Sequence, residues 1–400
     1  METAADTARI VNALAERWAA ELGGTGSGGT VLTAVGVWPL LGLLAAGADG
    51  AARKELEEAL GLPAEEAARR GRELLVLLRD VPGAGAAVGL WTAGGVRPDP
   101  GWLAEVGRHT RGTLKGVPAL DRLVLDRWAR KHTGGLVRSM PLEVDRDLLL
   151  VLASAVAVRT RWRYAFQESW QHADSGPWVG RPIAALRLDG TELFDHLAVA
   201  ETAAGPVTEV RLPGTAETDV HLLLGTEDAP LGPVLAAGLA LLDGRARRIP
   251  AAELPTGGPW PGLTTETLDS ATPGDRLDLT TAAFTVDTTH DLLERAELFG
   301  LRTASERDSF PGICRTPPLQ VSQARQQATA VFGARGFEAA AVTAVGMTRG
   351  TAARPSVLHR VTVARVRIDR PFAFLAVHRP TGLALACGWI TEPAGAHPSP

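Results

Sequence analysis

Cysteine is nearly absent from this 400-residue sequence, which holds Cys314 and Cys387 and no others. Two thiols this few and this scattered supply neither a disulfide framework nor a cysteine-based metal site. Lysine is almost as scarce: Lys54, Lys115 and Lys131 stand in an otherwise all-arginine basic set, which beside heavy alanine and glycine use points to a GC-rich coding bias. Charge of both signs is thin, at 22% of residues, and a net charge of −4 with a pI near 6.2 argues against nucleic-acid and anionic-membrane surfaces. No uncharged run is long enough to span a bilayer; the most apolar stretch, Val31 to Ala48, is interrupted by Pro39 and several glycines. The opening Met-Glu-Thr-Ala-Ala-Asp puts acids where a secretory leader carries bases, so a soluble, cytoplasmic protein is expected.

Catalytic motifs are missing as well. There is no Gly-x-Ser-x-Gly elbow, no Walker-type phosphate loop and no His-Glu-x-x-His pair. Gly24-Thr-Gly-Ser-Gly-Gly29 lacks the Lys-Ser/Thr that would hold a phosphate and reads as a linker. Glu192 and His196 have the spacing of two ligands on one helix face, but no third ligand is evident and a surface pair is the expectation. His221, His290, His359 and His378 are isolated. A protein that is not an enzyme, with no metal and no cofactor, is expected.

What is present is apolar material, 45% of the chain, enough for the core of one large domain over 1–393 with a tail at 394–400. Ile10, Leu14, Trp18 and Leu22 share one face of a helix over 4–22. Further helices are expected at 37–46, 51–60, 64–79, 101–109 and 122–132, with a strand at Ala86 to Trp91. From Leu148 strands dominate, apart from helices over Leu231 to Leu242 and Asp291 to Phe299. Early helices followed by strands, without βαβ alternation, make an α+β pattern.

The most informative stretch is Gly336-Phe-Glu-Ala-Ala-Ala-Val-Thr-Ala-Val-Gly-Met-Thr-Arg-Gly350. Small side chains lose little entropy on ordering, so such a segment can lie exposed in one state and pair as a strand in another. If Phe337 faces a core, Ala339, Ala341, Thr343 and Val345 face it too, and Glu338 points away. Farther on, Phe372 to Val377 and Leu383 to Ile390 read as buried strands joined by a turn at Arg379-Pro-Thr-Gly382.

The closing segment, with Asp369-Arg-Pro-Phe372, the Thr381-Gly382 turn and Glu392-Pro393, resembles the C-terminal signature of the serpins. The small-residue run resembles the hinge and reactive-centre loop of their inhibitory members, which opens Gly-Thr-Glu-Ala-Ala-Ala. Trp128-Ala-Arg-Lys-His-Thr-Gly-Gly-Leu-Val137, the strand from Leu149 to Phe166 and Asp291 to Leu301 are similar to further family segments in register. The resemblance covers nearly the whole chain and, with the arginine and alanine bias, implies a bacterial, actinobacterial-type member. It implies helices packed around three β-sheets with an exposed reactive-centre loop. It also implies a monomer that inhibits a serine protease as a suicide substrate, in the cytoplasm or, by family analogy, outside the cell. A non-inhibitory binding or structural protein of the same fold is the alternative.

Carried over residue by residue, the resemblance makes Gly336, Phe337, Glu338, Ala339, Ala340, Ala341, Val342 and Thr343 the hinge. It puts Trp162, Thr33, Gly36, Ser154 and Gln326 where the central sheet opens. Phe337 stands where the family has Thr or Ser, and a large ring entering a tight site is expected to cost about 1–3 kcal/mol. Gln326 replaces a family histidine, and Gly29, Thr33, Ala34 and Gly36 replace an Asn-x-x-x-Ser-Pro-x-Ser segment, so a different hydrogen-bond network must hold the opening. Family spacing puts the reactive bond at Gly350-Thr351, chemistry favours Arg349-Gly350 for a trypsin-like protease, and Met347 would suit another specificity. If Arg349 is the bait, a trypsin-like protease releases a C-terminal fragment beginning at Gly350, and Arg349→Ala abolishes that cut; mass spectrometry of the fragment checks both.

Overall fold

The computed structural model describes residues 2–23, 28–106, 110–135, 137–140, 142, 149–174, 176–306, 309–337 and 358–394. Seven helices and three sheets are formed among them. Helix α1 (Glu2–Leu22) buries Leu14 and Trp18 completely, while Ile10 and Leu22 pack at the edge of the core. Helix α2 (Ala34–Ala45) is apolar all round and buried at every position, which is what a helix enclosed on all sides requires. Its Gly42 lets α4 (Ala64–Asp80) approach so closely that a Cβ there would lie 2.8 Å from the carbonyl oxygen of Ala67. Helices α3 (Gly50–Leu60), α5 (Pro100–Val106), α6 (Pro118–His132) and α7 (Leu231–Leu242) complete the set. No described helix is long and apolar enough to cross a membrane.

The central sheet orders β3 (Arg111–Leu114), β2 (Ala84–Ala93), β4 (Leu150–Val158) and β15 (Gln323–Gly333), with β14 (Phe284–Asp291) on the far side of β15. At one end two short strands, β5 (Thr160–Arg161) and β16 (Gly336–Phe337), join it. The back sheet runs β1 (Thr30–Leu32), β19 (Leu383–Ile390), β18 (Phe372–His378), β10 (Thr218–Leu224), β9 (Gly205–Leu212), β8 (Leu197–Thr202) and β11 (Arg247–Pro250). Every residue of β18 and β19 is buried, as expected of continuous apolar runs covered on both faces. A third sheet orders β12 (Leu263–Ser270), β17 (His359–Arg367), β13 (Arg276–Ala282), β7 (Pro182–Gly190) and β6 (Gln167–His172).

Two expected elements differ. The helix read over Asp291 to Phe299 is a single 3-10 turn, Leu292–Arg295, capped by the Asp291 carboxylate on the Leu293 N–H at 3.0 Å. The chain reverses at once, with Leu301 N–H donating to the Ala296 carbonyl at 2.7 Å through Gly300 at φ +65°, so Leu292, Phe299 and Leu301 reach the core without further helix. The strand read from Leu149 to Phe166 is broken at Arg159, whose N–H turns aside to the Gly83 carbonyl at 2.8 Å. Both cysteines are free and buried.

Among the described residues the back sheet buries two carboxylates, Glu209 and Asp219. Burial alone would push Glu209 upward, but the hydrogen bond from His221 Nδ1 (2.6 Å) and the Arg248 guanidinium (2.5 and 2.9 Å) bring it down to about 2. A folded value below the unfolded 4.5 stabilises the fold above about pH 4.5 and is lost as pH falls toward 2; the shift corresponds to roughly 3 kcal/mol. The stability difference between wild type and Glu209→Gln is therefore expected to be constant above pH 5 and to shrink below pH 4, measured by urea unfolding across that range.

Candidate functional site

The break at Arg159 exists because something is seated beside it. Strand β15 ends at Gly333, the chain turns over Ala334 and Arg335, and β16 runs back antiparallel, pairing Gly336 with Gly333 and Phe337 with Phe332. Its other edge pairs with β5, Gly336 opposite Arg161 and Phe337 opposite Thr160. Farther down, no strand intervenes: β4 and β15 pair directly and in parallel from Val151 opposite Gln323 to Val156 opposite Ala328. The central sheet is thus split at one end by two residues and closed below them.

The turn is held by three hydrogen bonds. Trp162 donates its indole N–H to the Gly333 carbonyl (2.8 Å) and its backbone N–H to that of Arg335 (3.1 Å), and Phe166 N–H donates to Ala334 (3.1 Å). Gly336 must lack a side chain, since a Cβ there would stand 2.2 Å from the Thr160 carbonyl oxygen. Phe337 is 1% exposed, its ring 5.8 Å from that of Phe374 on β18. Beside it Trp162 meets Phe332 at 4.9 Å, and Phe332 stacks on Phe284 at 5.2 Å. Such pairs add about 0.5–1.5 kcal/mol each to the apolar burial. The overpacking expected for a ring entering this site is absent here: the ring is already inside, in an aromatic pocket that accommodates it.

A second group lies about 20 Å lower, six residues along β15. The Gln326 amide is fully buried and clasps the backbone of Thr33, accepting from its N–H and donating to its carbonyl, each at 2.9 Å. Ser154 is directly opposite Gln326 in the strand register. Gly36 meets the same point, for a Cβ there would be 2.3 Å from Ser154 Oγ and 3.3 Å from Thr33 Oγ1. Thr33, Gly36, Ser154 and Gln326 therefore converge, whereas Trp162 belongs to the upper group. Neither the Ser154 nor the Thr33 hydroxyl has a partner among the described residues. Sequence reasoning passed over His290, which stands opposite Gln326 on β14 and donates Nε2–H to the Val31 carbonyl at 2.8 Å. Burial holds its pKa below the usual range, against the opposing pull of the Val31 bond. Only strand register could have revealed it.

Glu338 to Thr343 and the reactive-bond residues Arg349, Gly350 and Thr351 lie outside the described residues. Glu192 and His196 do not share a helix: a 3-10 turn, Phe194–His196, intervenes, and His196 Nδ1 accepts from Arg211 (2.8 Å), so the ring is committed. Among the described residues no group of three or more His, Cys, Asp or Glu could hold a metal ion.

The chain matches the serpin (serine protease inhibitor) family profile over residues 10–175 and 262–393. It belongs to the serpin family. Plasminogen activator inhibitor 1 of Bos taurus is 25% identical over 73% of this chain and 68% of its own length. Serine proteinase inhibitor 1 of Myxoma virus (strain Lausanne) is 24% identical over 67% and 64%. Human thyroxine-binding globulin, solved in complex with thyroxine, superposes with a TM-score of 0.71 over 98% of both chains at 17% identity, which shows the serpin fold.

The lower clasp makes a stability prediction. Gln326→Leu leaves the Thr33 N–H and carbonyl buried without partners and should cost about 2–4 kcal/mol. Ser154→Ala removes a hydroxyl that satisfies nothing and should be neutral or slightly stabilising. Urea unfolding of the two variants beside wild type checks both.

Proposed function

We propose that this serpin is a suicide-substrate inhibitor of a trypsin-like serine protease, acting as a monomer through the segment between β16 and β17. The observation that carries this reading is β16 itself, a strand already begun between β5 and β15, above a line where β4 and β15 still pair directly. The protease serine attacks the carbonyl on the near side of the scissile bond, of Arg349 by chemistry or Gly350 by family spacing, and forms an acyl-enzyme. The cut leaves the segment after Phe337 tied to the sheet at one end only. It then lengthens β16 downward, and its register, continued from Phe337 opposite Phe332, puts Ala339, Ala341 and Thr343 on the core side. These are small enough to follow the ring without displacing the core.

The line that must open is short, from Val151–Gln323 to Val156–Ala328. Opening it breaks one ladder and insertion makes two. The net gain is on the order of ten hydrogen bonds at about 1 kcal/mol each, with apolar burial added. Trapping is a race between this movement and hydrolysis of the ester, in which each 1.4 kcal/mol of barrier is about tenfold in rate. With Phe337 seated beforehand, the bulkiest step is complete before the protease arrives.

A second reading, a non-inhibitory carrier of small organic anions, is favoured by one observation. A cleft of about 180 Å³ between β9, β10, α7 and the turn after β18 is lined by Arg211, Arg248 and Arg379, with Leu241 and Leu242 as an apolar wall. Arg248 and Arg379 bond to Glu209 and Asp219, which also line the cleft, but among the described residues Arg211 donates to His196 and to no carboxylate.

Incubation with a trypsin-like protease separates the two. The inhibitory reading expects an SDS-stable adduct, and a thermal midpoint raised by roughly 10 °C or more in protein nicked between Met347 and Pro355. Equal midpoints for nicked and intact protein, with no adduct, would transfer the assignment to the carrier.

A further inference from the structure

Helix α6 packs on the central sheet through Leu125 and Ala129, which join Trp91 of β2 and Val151 of β4 in one buried apolar cluster. Its outward face is not an ordinary solvated surface. Val117, which caps the helix, and Leu120, Leu123 and Val124 in its first two turns are 46%, 50%, 56% and 39% exposed. Spacing of three and four residues stacks them on one side, so they form a single patch, whereas exposed aliphatic residues are ordinarily scattered singly. The same spacing carries the stripe on to Arg127, Arg130 and Lys131. Arg130 reaches back to the Asp126 carbonyl of its own helix at 3.3 Å, and none of the three cations meets a carboxylate among the described residues. The arginines of α3 and α4, by contrast, are tied: Arg53 to Glu57 and Glu65, Arg69 to Glu66 and Glu73. The dipole of α6 accounts for cations in its last turn and not for the aliphatic side chains ahead of them.

We propose that this face of α6 is the docking site for an acidic, amphipathic helix of a protein partner, with aliphatic side chains against Leu120, Leu123 and Val124 and carboxylates over Arg127, Arg130 and Lys131. The inference is independent of the inhibitory reading above. From Val117 to Lys131 the stripe is about 20 Å long at 1.5 Å per residue and one helix wide, the footprint of roughly four turns of a second helix. Charge decides among the occupants. A second copy set face to face would bring the same aliphatic side chains and the same cations, because both acids of α6 are engaged: Asp121 is buried and accepts from the N–H groups of Lys115 and Val117, and Asp126 accepts from Met140 N–H. A polyanion would leave the aliphatic half in water. An anionic bilayer would face a chain of net charge −4, so attraction to α6 would compete with repulsion from the rest. A single acidic helix touches α6 and little else, and it satisfies both halves of the stripe at once.

The test selects a displayed library of random peptides, each about 14 residues long to match the stripe, on the full chain, after depletion on Leu120→Asp with Lys131→Glu. Every substituted side chain is exposed, so the variants should fold with the wild-type thermal midpoint, which is measured first. Enriched peptides are expected to carry aliphatic residues at spacings of three and four beside a cluster of Asp or Glu. Titrated with a fluorophore attached, they should bind Leu123→Asp, and Arg127→Glu with Lys131→Glu, at least about tenfold more weakly than wild type. Added salt should weaken the wild-type complex, and a peptide with its acids changed to Lys should recover binding to the charge-reversed variant. No enrichment over the depleting variant, enriched peptides without acids, or equal affinity for wild type and both variants overturns the proposal. Two further arms identify other occupants: sedimentation of the chain alone across concentration, and co-sedimentation with phosphatidylglycerol vesicles. Self-association or vesicle binding that is lost in Leu123→Asp, with no acidic peptide enriched, overturns the proposal in favour of a second copy or a bilayer.

Discussion

The structure depends on a competition for the edge of β15. Its lower half is taken by β4 and its upper end by β16, and the two claims are mutually exclusive at every residue between Ala328 and Phe332. Hydrogen-bond chemistry is the same for both partners, so the boundary is decided by side chains. Phe337 contributes a ring to an aromatic pocket, and Gly336 alone permits the close approach to Thr160. Below, Val156 and Ser154 hold β4 against β15, and Gln326 ties that pairing to the start of α2 through Thr33. The split is consequently fixed at one place by packing above and an amide clasp below.

Much of this was legible in the sequence, for reasons that differ by element. Phe372 to Val377 and Leu383 to Ile390 were readable because continuous apolar runs with a Pro-Thr-Gly turn admit few alternatives, and β18 ends one residue beyond the reading. The parity that turned Phe337 inward was readable too, but not that the ring is already buried in the intact chain, because that depends on Phe284, Phe332 and Phe374 from three other strands. The Asp291 to Phe299 segment misled because one turn and a reversal at Gly300 bury Leu292 and Phe299 as well as two helical turns would. The clasp of Gln326 on Thr33 joins residues 293 apart, and nothing local announces it.

The strand β12 shows the same limit from another side. Leu-Thr-Thr-Glu-Thr-Leu-Asp-Ser is an ordinary half-exposed strand in composition, and its importance lies in which edge it covers. Pairing on both sides of β17 is a fact of topology, reached only once the chain has returned from ninety residues farther on.

The clasp at the foot of the split has one more consequence. A glutamine amide carries no charge at any pH, and burial lowers the pKa of the neighbouring His290. Among the described residues, the tie of β15 to the start of α2 is thus a neutral one, and the join of Gln326 with Thr33 holds no ion pair for added salt to screen.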